Sequence, residues 1–182
     1  MPETCTPTYI EPINQQQQAL VIEKTRQYIE LASDFYARPF KNIDVLFNLS
    51  GRNAGMYRVC GQQRWIRYNP YIFARYFTDG LHTTVPHEVA HYVTDQLYSL
   101  KKIRPHGVQW KNVMHVLGAK PQVTGNYSLA GIPQRRQKRY TYQCECRQHQ
   151  ISAIRHRRIV NRQATYYCKQ CKQLIQAVAD SF

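Results

Sequence analysis

The sequence lacks any long apolar segment. Although 43% of its 182 residues are hydrophobic, no apolar run approaches the roughly 18 residues that a membrane-spanning helix needs. The N-terminal residues also lack a basic stretch followed by an apolar one, so we expect no secretion signal. These absences predict a cytoplasmic protein that makes no membrane contact and that could associate with the nucleoid.

Acidic residues are scarce as well. Only 11 Asp and Glu oppose 25 Lys and Arg, which gives a formal net charge of +14. Most of the excess follows Gln134, where 11 basic residues accompany 2 acidic ones. The positive electrostatic field of these residues favours a polyanionic partner, and we expect DNA, whether single-stranded or double-stranded. A basic surface that only keeps the protein soluble is the alternative.

The pattern of apolar residues and breakers predicts an α+β domain over residues 1–130, a basic linker over 131–139 and a small module over 140–182. Helical spacing predicts helices over 14–38, 71–77, 84–100 and 108–117. Thr84 is expected to cap the third of these helices. Apolar runs between turn residues predict a three-stranded meander over 43–48, 56–60 and 64–69. Cys60, in the second strand, is expected to be a small core residue.

Cysteine is rare outside one region. Four of the six cysteines lie in the basic tail, and without a secretion signal such clusters indicate metal ligands before disulfides. Cys168 and Cys171 have the usual spacing of a zinc-binding pair. In the other half of the site, Cys144 with Cys146 is the favoured pair, and His149 is the alternative to Cys144. We therefore predict one closed, structural zinc site, with disulfide pairing as the alternative.

The sharpest pattern in the chain is H-E-x-x-H at residues 87–91. Because four residues span about one helical turn, His87 and His91 project from one face of a helix and can bind one zinc ion. Glu88 lies beside the open coordination position, where a carboxylate can accept a proton from zinc-bound water. A catalytic zinc ion requires a third protein ligand. We favour His106, in a turn before the next helix, over His82.

Basic and apolar residues alternate between the two cysteine pairs, which suggests an exposed strand rich in arginine. Guanidinium groups neutralise phosphates, and tyrosine rings stack on unpaired bases. The predicted nucleic-acid contacts are Arg155, Arg157, Arg158, Arg162 and Tyr166, with Arg135 and Arg136 of the linker. The alternative is that these arginines only keep the strand soluble.

A series of longer motifs runs along nearly the whole chain. They are Ile66-Arg67-Tyr68-Asn69-Pro70, Val85-Pro86-His87-Glu88 with Ala90-His91, Pro105-His106-Gly107 with Trp110-Lys111, Tyr142-x-Cys144-x-Cys146-x-x-His149, Arg155-His156-Arg157-Arg158, and Tyr167-Cys168-x-x-Cys171 with Leu174. In this order and spacing they resemble the SprT family, and its bacterial branch most closely. The eukaryotic relatives are the Spartan-type proteases, which act on DNA–protein crosslinks.

The resemblance implies a small zincin-type metalloprotease fold, with the H-E-x-x-H helix under a short twisted sheet and a C-terminal zinc ribbon. It implies His87, His91 and His106 as ligands of a catalytic zinc ion and Glu88 as the general base. We therefore interpret the chain as a zinc endopeptidase that acts on DNA-associated proteins and that DNA could stimulate, with a second, structural zinc ion.

Two other functions fit the same residues. The first is a nucleic-acid-binding or regulatory protein with little or no protease activity, and the second is a metal-dependent hydrolase of a non-peptide substrate. An extended peptide substrate is expected to pair with an edge strand. The residue that stabilises the oxyanion is not evident, and the candidates are Tyr68, His82 and Arg104.

Overall fold

The structure, a computed structural model, describes residues 10–98, 103–123, 127–134 and 138–178. The chain separates into two compact units, Met1–Gln134 and Arg135–Phe182, which we call the first and the second unit. Both units combine helices with a small sheet, which confirms the α+β class. None of the described helices is long and apolar enough to cross a membrane.

The first unit contains helices α1 (Gln15–Phe35), α2 (Pro70–Arg75), α3 (Phe77–His82), α4 (Thr84–Tyr98) and α5 (Val108–Val116), and strands β1 (Asp44–Leu46), β2 (Gly55–Cys60) and β3 (Gln63–Tyr68). Helix α1 begins with a capping box. The Asn14 side chain accepts a hydrogen bond from the Gln17 amide at 2.9 Å, and the Gln17 side chain accepts one from the Asn14 amide at 3.0 Å. Two backbone donors at the helix start are thereby satisfied.

Strand β3 lies in the middle of the first sheet, with β1 and β2 at its edges. β2 and β3 form an antiparallel hairpin around Gly61, whose φ of 58° suits a tight turn. β1 pairs with β3 in parallel, so the predicted meander is wrong. Parallel pairing requires a connection of roughly a dozen residues or more, and the segment 47–62, which includes β2, supplies it.

Two side chains in this unit differ from the prediction. Cys60 is exposed rather than buried, because it is the last residue of β2 and lies beside the hairpin turn. Thr84 is the first residue of α4 rather than its cap, and the carbonyl that accepts from the His87 amide belongs to Thr83. The Thr84 hydroxyl instead lies 3.2 Å from the Tyr127 hydroxyl.

Helix α4 is the centre of the first unit. Val85, Val89 and Val93 are fully buried, and their spacing of four residues defines one apolar face of the helix. Helices α1, α3 and α5 and strand β2 pack against it. Because this face is fixed in the core, His87 and His91 on the opposite side of the helix are directed away from it.

The second unit contains strands β4 (Arg139–Gln143), β5 (Gln148–Ser152) and β6 (Gln176–Ala177) and helix α6 (Ala153–Val160). Its sheet has the order β5-β4-β6, with antiparallel pairing throughout. A small cluster of Tyr142, Ile151, Cys168 and Ile175 forms the core.

The arginine-rich segment of the second unit is helical, so the predicted strand is wrong. Ser152 caps α6, because its side chain accepts a hydrogen bond from the Arg155 amide. The partly buried positions are 153, 156 and 159, which repeat every three residues. That period is typical of a helix lying on a surface, whereas a strand would bury every second residue.

Candidate functional site

Three imidazole rings meet in a cleft of the first unit. His87 and His91 lie one turn apart on α4, and His106 reaches them from the turn before α5. Their Nε2 atoms are 3.2 Å apart for His87–His91, 3.0 Å for His91–His106 and 3.1 Å for His87–His106. His106 has a φ of 56°, a left-handed conformation that few non-glycine residues adopt. Such conformations concentrate at functional sites.

This triangle of nitrogens suits a metal ion. One ion could lie about 2.0–2.1 Å from all three nitrogens, which is the usual zinc–nitrogen distance, because the nitrogens are only 3.0–3.2 Å apart. Its outer side would remain open to water or substrate, as in catalytic zinc sites. The three residues form one of the two clusters in the described chain that could hold a metal ion.

The surroundings of the rings favour their metal-binding form. Burial, with repulsion from neighbouring rings, lowers the pKa of His87 to about 4 and that of His91 to about 3. Burial also lowers the pKa of His106. All three imidazoles are therefore neutral at pH 7. The Nδ1 of His87 lies 3.2 Å from the Gln122 carbonyl, and donation to it leaves Nε2 as the metal-facing lone pair.

Trp110 of α5 packs against all three rings. Its ring centroid lies 4.8 Å from that of His87, 5.7 Å from that of His91 and 4.7 Å from that of His106. The indole is 1% exposed, and its Nε1 donates a hydrogen bond to the His87 carbonyl at 3.3 Å. The sequence alone does not predict a role for Trp110. It lies about one helical turn after His106, however, and at that spacing a helical side chain can reach back to a ligand.

Glu88 lies on α4 beside the histidines and is 5% exposed. Its Oε2 accepts a hydrogen bond from the Tyr57 amide of β2 at 2.7 Å. Burial raises the pKa of Glu88 to about 8, and the Tyr57 amide acts in the opposite direction. A cation held by the adjacent histidines would also favour the carboxylate. Glu88 is thus placed to exchange a proton near neutral pH.

The histidines and Glu88 line a cavity of about 980 Å³, which also contains residues of β2 and the segment 118–123. Of the oxyanion candidates, His82 and Arg104 line this cavity. Tyr68 is fully buried, and its hydroxyl lies 3.2 Å from the Thr25 hydroxyl in the core, so it is wrongly assigned to the site. His82 is exposed and lies outside the histidine cluster.

The second cluster consists of Cys144, Cys146, Cys168 and Cys171, whose sulfur atoms all lie within 4.8 Å of one another. The Sγ distances are 3.5 Å for Cys144–Cys146 and 3.7 Å for Cys146–Cys168. Four thiolates about 2.3 Å from one zinc ion in a tetrahedron would be about 3.8 Å apart. His149 lies outside the four, with its Nε2 3.2 Å from the Cys144 sulfur.

The electrostatics of these thiols also suit a cation. Burial raises the pKa of Cys144, but hydrogen bonds, first from His149, outweigh it and lower the pKa to about 7. Backbone amides, first that of Cys171, lower the pKa of Cys168 to about 5. Contact with these neighbouring thiols raises the pKa of Cys146 to about 12. Four thiolates this close require a positive charge among them, which a metal ion supplies.

Helix α6 places the arginines that are predicted to bind nucleic acid on different faces. The exposed arginines are Arg155, Arg157, Arg158 and Arg162. The Arg155 guanidinium lies 5.6 Å from the centre of the Tyr166 ring, which is half-buried. Successive residues turn by about 100°, so Arg155 and Arg158 share a face while Arg157 points elsewhere. Arg135 and Arg136 lie outside the described residues.

The sequence matches one family over most of the first unit. The model of the SprT-like family matches residues 25–132, which include all three histidines and Glu88. The chain belongs to the SprT-like family. The resemblance inferred from its motifs is thereby confirmed.

Relatives of this family also match beyond the first unit. Protein SprT of Pasteurella multocida (strain Pm70) is 33% identical over 91% of this chain and 94% of its own length. Protein SprT of Vibrio parahaemolyticus serotype O3:K6 is 34% identical over 80% of this chain and 84% of its own. Protein SprT of Pseudomonas paraeruginosa is 35% identical over 78% of this chain and 84% of its own. The first of these similarities extends into the second unit, because it covers nine-tenths of the chain.

Proposed function

We propose that this SprT-like protein is a zinc-dependent endopeptidase of the zincin type that acts on DNA-associated proteins. The observation that carries the proposal is the triangle of Nε2 atoms, about 3 Å on each side, with Glu88 beside it in an open cavity. A purely structural metal site needs neither a buried carboxylate next to it nor an open side.

The chain's own residues can carry the proton transfers of peptide hydrolysis. A zinc ion bound by the three histidines would supply Lewis-acid polarisation of the scissile carbonyl and an acidified water. Glu88 would accept a proton from the attacking water and would then donate it to the leaving amine. Burial raises the pKa of Glu88 in the metal-free chain, and a zinc ion at the histidines would lower it again, so that the carboxylate could accept the proton.

Strand β2 supports an extended peptide as the substrate. It is an edge of the first sheet, and Gly55, Met56 and Tyr57 line the same cavity as the histidines. An edge strand pairs with the backbone of an added peptide and so reads main chain more than side chains. This mode suits an enzyme that cleaves proteins of varied sequence.

The second unit supports nucleic acid as the partner that brings such substrates to the cleft. Residues 138–178 carry nine basic side chains and one acidic one, Glu145. None of these basic side chains takes part in an ion pair within the described part of the unit. Uncompensated cations of this kind neutralise phosphates. The cluster of four cysteines would hold a structural zinc ion that stabilises the small unit.

The test is proteolysis of a basic DNA-binding protein by the zinc-loaded chain, with and without single-stranded DNA. Glu88→Ala is the matched control. We expect cleavage that requires Glu88 and increases with DNA, while DNA affinity is the same for both proteins. If both proteins bind zinc and DNA but neither cleaves, the protease proposal fails.

That outcome would favour the second candidate, a nucleic-acid-binding or regulatory protein. The observation behind it is that the basic second unit has a metal cluster of its own, independent of Glu88. Equal DNA affinity in the wild type and Glu88→Ala fits both functions, so only Glu88-dependent turnover separates them.

A further inference from the structure

The general base proposed above is in contact with the edge strand proposed to bind substrate. The Tyr57 amide of β2 donates to Glu88 Oε2 at 2.7 Å. Two residues earlier, Gly55 lies directly against the same side chain. In the antiparallel pairing with β3, Gly55 and Tyr57 point their backbone groups to the same side of β2. The carboxylate therefore lies along the free edge of this strand.

Gly55 leaves the space that the carboxylate occupies. A Cβ added at Gly55 would lie 2.6 Å from Glu88 Oε1, 2.7 Å from Glu88 Cγ and 2.8 Å from Thr84 Cγ2. Gly55 is not among the glycines with positive φ, so its backbone conformation does not demand glycine. Glycine is required here by the close approach of β2 to Glu88, because contacts of this length between a Cβ and packed atoms are repulsive.

Tyr57 connects β2 to α4 at a second point. Its hydroxyl donates to Asp95 Oδ2 at 2.8 Å, and the Arg64 Nε of β3 donates to the same oxygen at 2.7 Å. Asp95 lies seven residues after Glu88, which is about two helical turns and hence the same side of α4. Through its amide and its hydroxyl, Tyr57 therefore fixes the strand at two heights along the helix.

We propose that Gly55 and Tyr57 are positioning residues, which hold the Glu88 carboxylate against the edge strand and so align the base with a substrate chain paired to that strand. The inference rests on the proposed function. The backbone of β2 would then position both the base and the substrate. Glu88 occupies the Tyr57 amide, so a substrate chain would pair with backbone groups of β2 other than this amide.

The kinetic arm of the test is Gly55→Ala in the zinc-loaded full chain. The added methyl group must push the carboxylate aside, and small misplacements of a catalytic group can cost about a hundredfold in rate. We expect kcat to fall at least about tenfold while KM stays within about twofold, with zinc content unchanged. Arg58→Ala, at an exposed position of the same strand, is the matched control and should leave kcat unchanged.

The second arm is a thermodynamic cycle that needs no proteolysis. Gly55→Ala is introduced into the wild type and into Glu88→Ala, and unfolding by urea is measured for all four proteins. Because Glu88→Ala removes both Glu88 atoms that the new methyl group would strike, Gly55→Ala should cost less stability in that background. Adding Thr84→Ser, which removes the remaining close atom, should reduce the cost further.

The two arms separate the failure of this inference from the failure of the proposed function. Equal costs of Gly55→Ala in the two backgrounds would overturn the inference, whatever the enzyme does. So would a Gly55→Ala protein that keeps its kcat. If the wild type shows no Glu88-dependent cleavage but the cycle shows coupling, the protease proposal fails while the contact between β2 and the carboxylate stands.

Discussion

The two candidate metal clusters differ in ligands and in access. The histidine cluster gathers three nitrogens on the wall of a cavity of about 980 Å³ and leaves one side open. The cysteine cluster gathers four sulfurs, enough to complete a tetrahedron. One arrangement leaves a coordination position for chemistry and the other leaves none. A single chain thus carries an open candidate site in the unit with the larger core and a closed candidate site in the unit with the smaller core.

Removing one ligand from each cluster should give the largest contrast. His106→Ala should abolish turnover and lower the zinc content from two ions to one, while the second unit remains folded and binds DNA. Cys168→Ala should also lower zinc content to one ion, but here the second unit should unfold, because small units of this kind depend on the metal for folding. Zinc analysis, circular dichroism and DNA binding distinguish the two results.

Loss of both ions in either variant would show that the two clusters do not bind metal independently. A folded second unit in Cys168→Ala would show that the cysteine cluster is not structural. Arg58→Ala, which touches neither cluster, provides the reference for zinc content.

A smaller effect is expected from the indole behind the histidines. Trp110→Phe keeps an aromatic ring but removes the hydrogen bond to the His87 carbonyl and part of the contact with the three rings. Loss of such supporting contacts typically costs about 10–100-fold in metal affinity. We expect zinc competition to show this weakening at the histidine site only. Equal affinity in the two proteins would reduce Trp110 to a core residue.

Glu88 should give the metal-free first unit an unusual dependence on pH. Its pKa is raised from 4.5 to about 8 in the folded state. Protonated Glu88 therefore stabilises the folded state fully at low pH, and this contribution is lost as pH rises through about 8. The lowered pKa values of His87 and His91 act mainly between about pH 4 and 6.5, where both side chains charge only in the unfolded state.

Between about pH 6.5 and 8, Glu88 should therefore remove about 2 kcal/mol of stability as pH rises. Glu88→Gln should lack this loss. The measurement is the difference in free energy of unfolding between the two metal-free proteins across that range. The thiols of the second unit cancel in this difference. Parallel stability curves would show that Glu88 ionises in the folded protein as it does in the unfolded chain.

The sequence predicted features that depend on local spacing. The positions of His87 and His91 follow from the helical repeat, and the structure brings His106 to them from a turn that Pro105 and Gly107 already indicated. The parallel pairing of β1 with β3 could not be predicted in this way, because a parallel register depends on contacts distant in sequence. The same holds for Gly55, whose meaning depends on Glu88, 33 positions further along the chain.

Helix α6 is a different kind of error. Over eight residues, alternation of basic and apolar side chains fits a strand and a helix almost equally. The deciding features are the Ser152 cap and the hairpin that precedes it, which supplies the surface on which α6 packs. Because the segment is a helix, the expected nucleic-acid surface changes. Arginines that would share one face of a strand lie on different sides of the helix.

The smallest expected effect tests that helical surface. Arg155 and Arg158 share one face of α6, so Arg155→Ala with Arg158→Ala should remove two phosphate contacts and reduce the slope of log K against log salt by about 2. Arg157→Ala, on another side of the helix, should change the slope by less than about 1 and is the matched control. The measurement is DNA binding by fluorescence anisotropy at several salt concentrations. Equal slopes for the double variant and the wild type would move the DNA contact away from α6. A large change of the slope in Arg157→Ala alone would place the DNA contact on the side of α6 that carries Arg157.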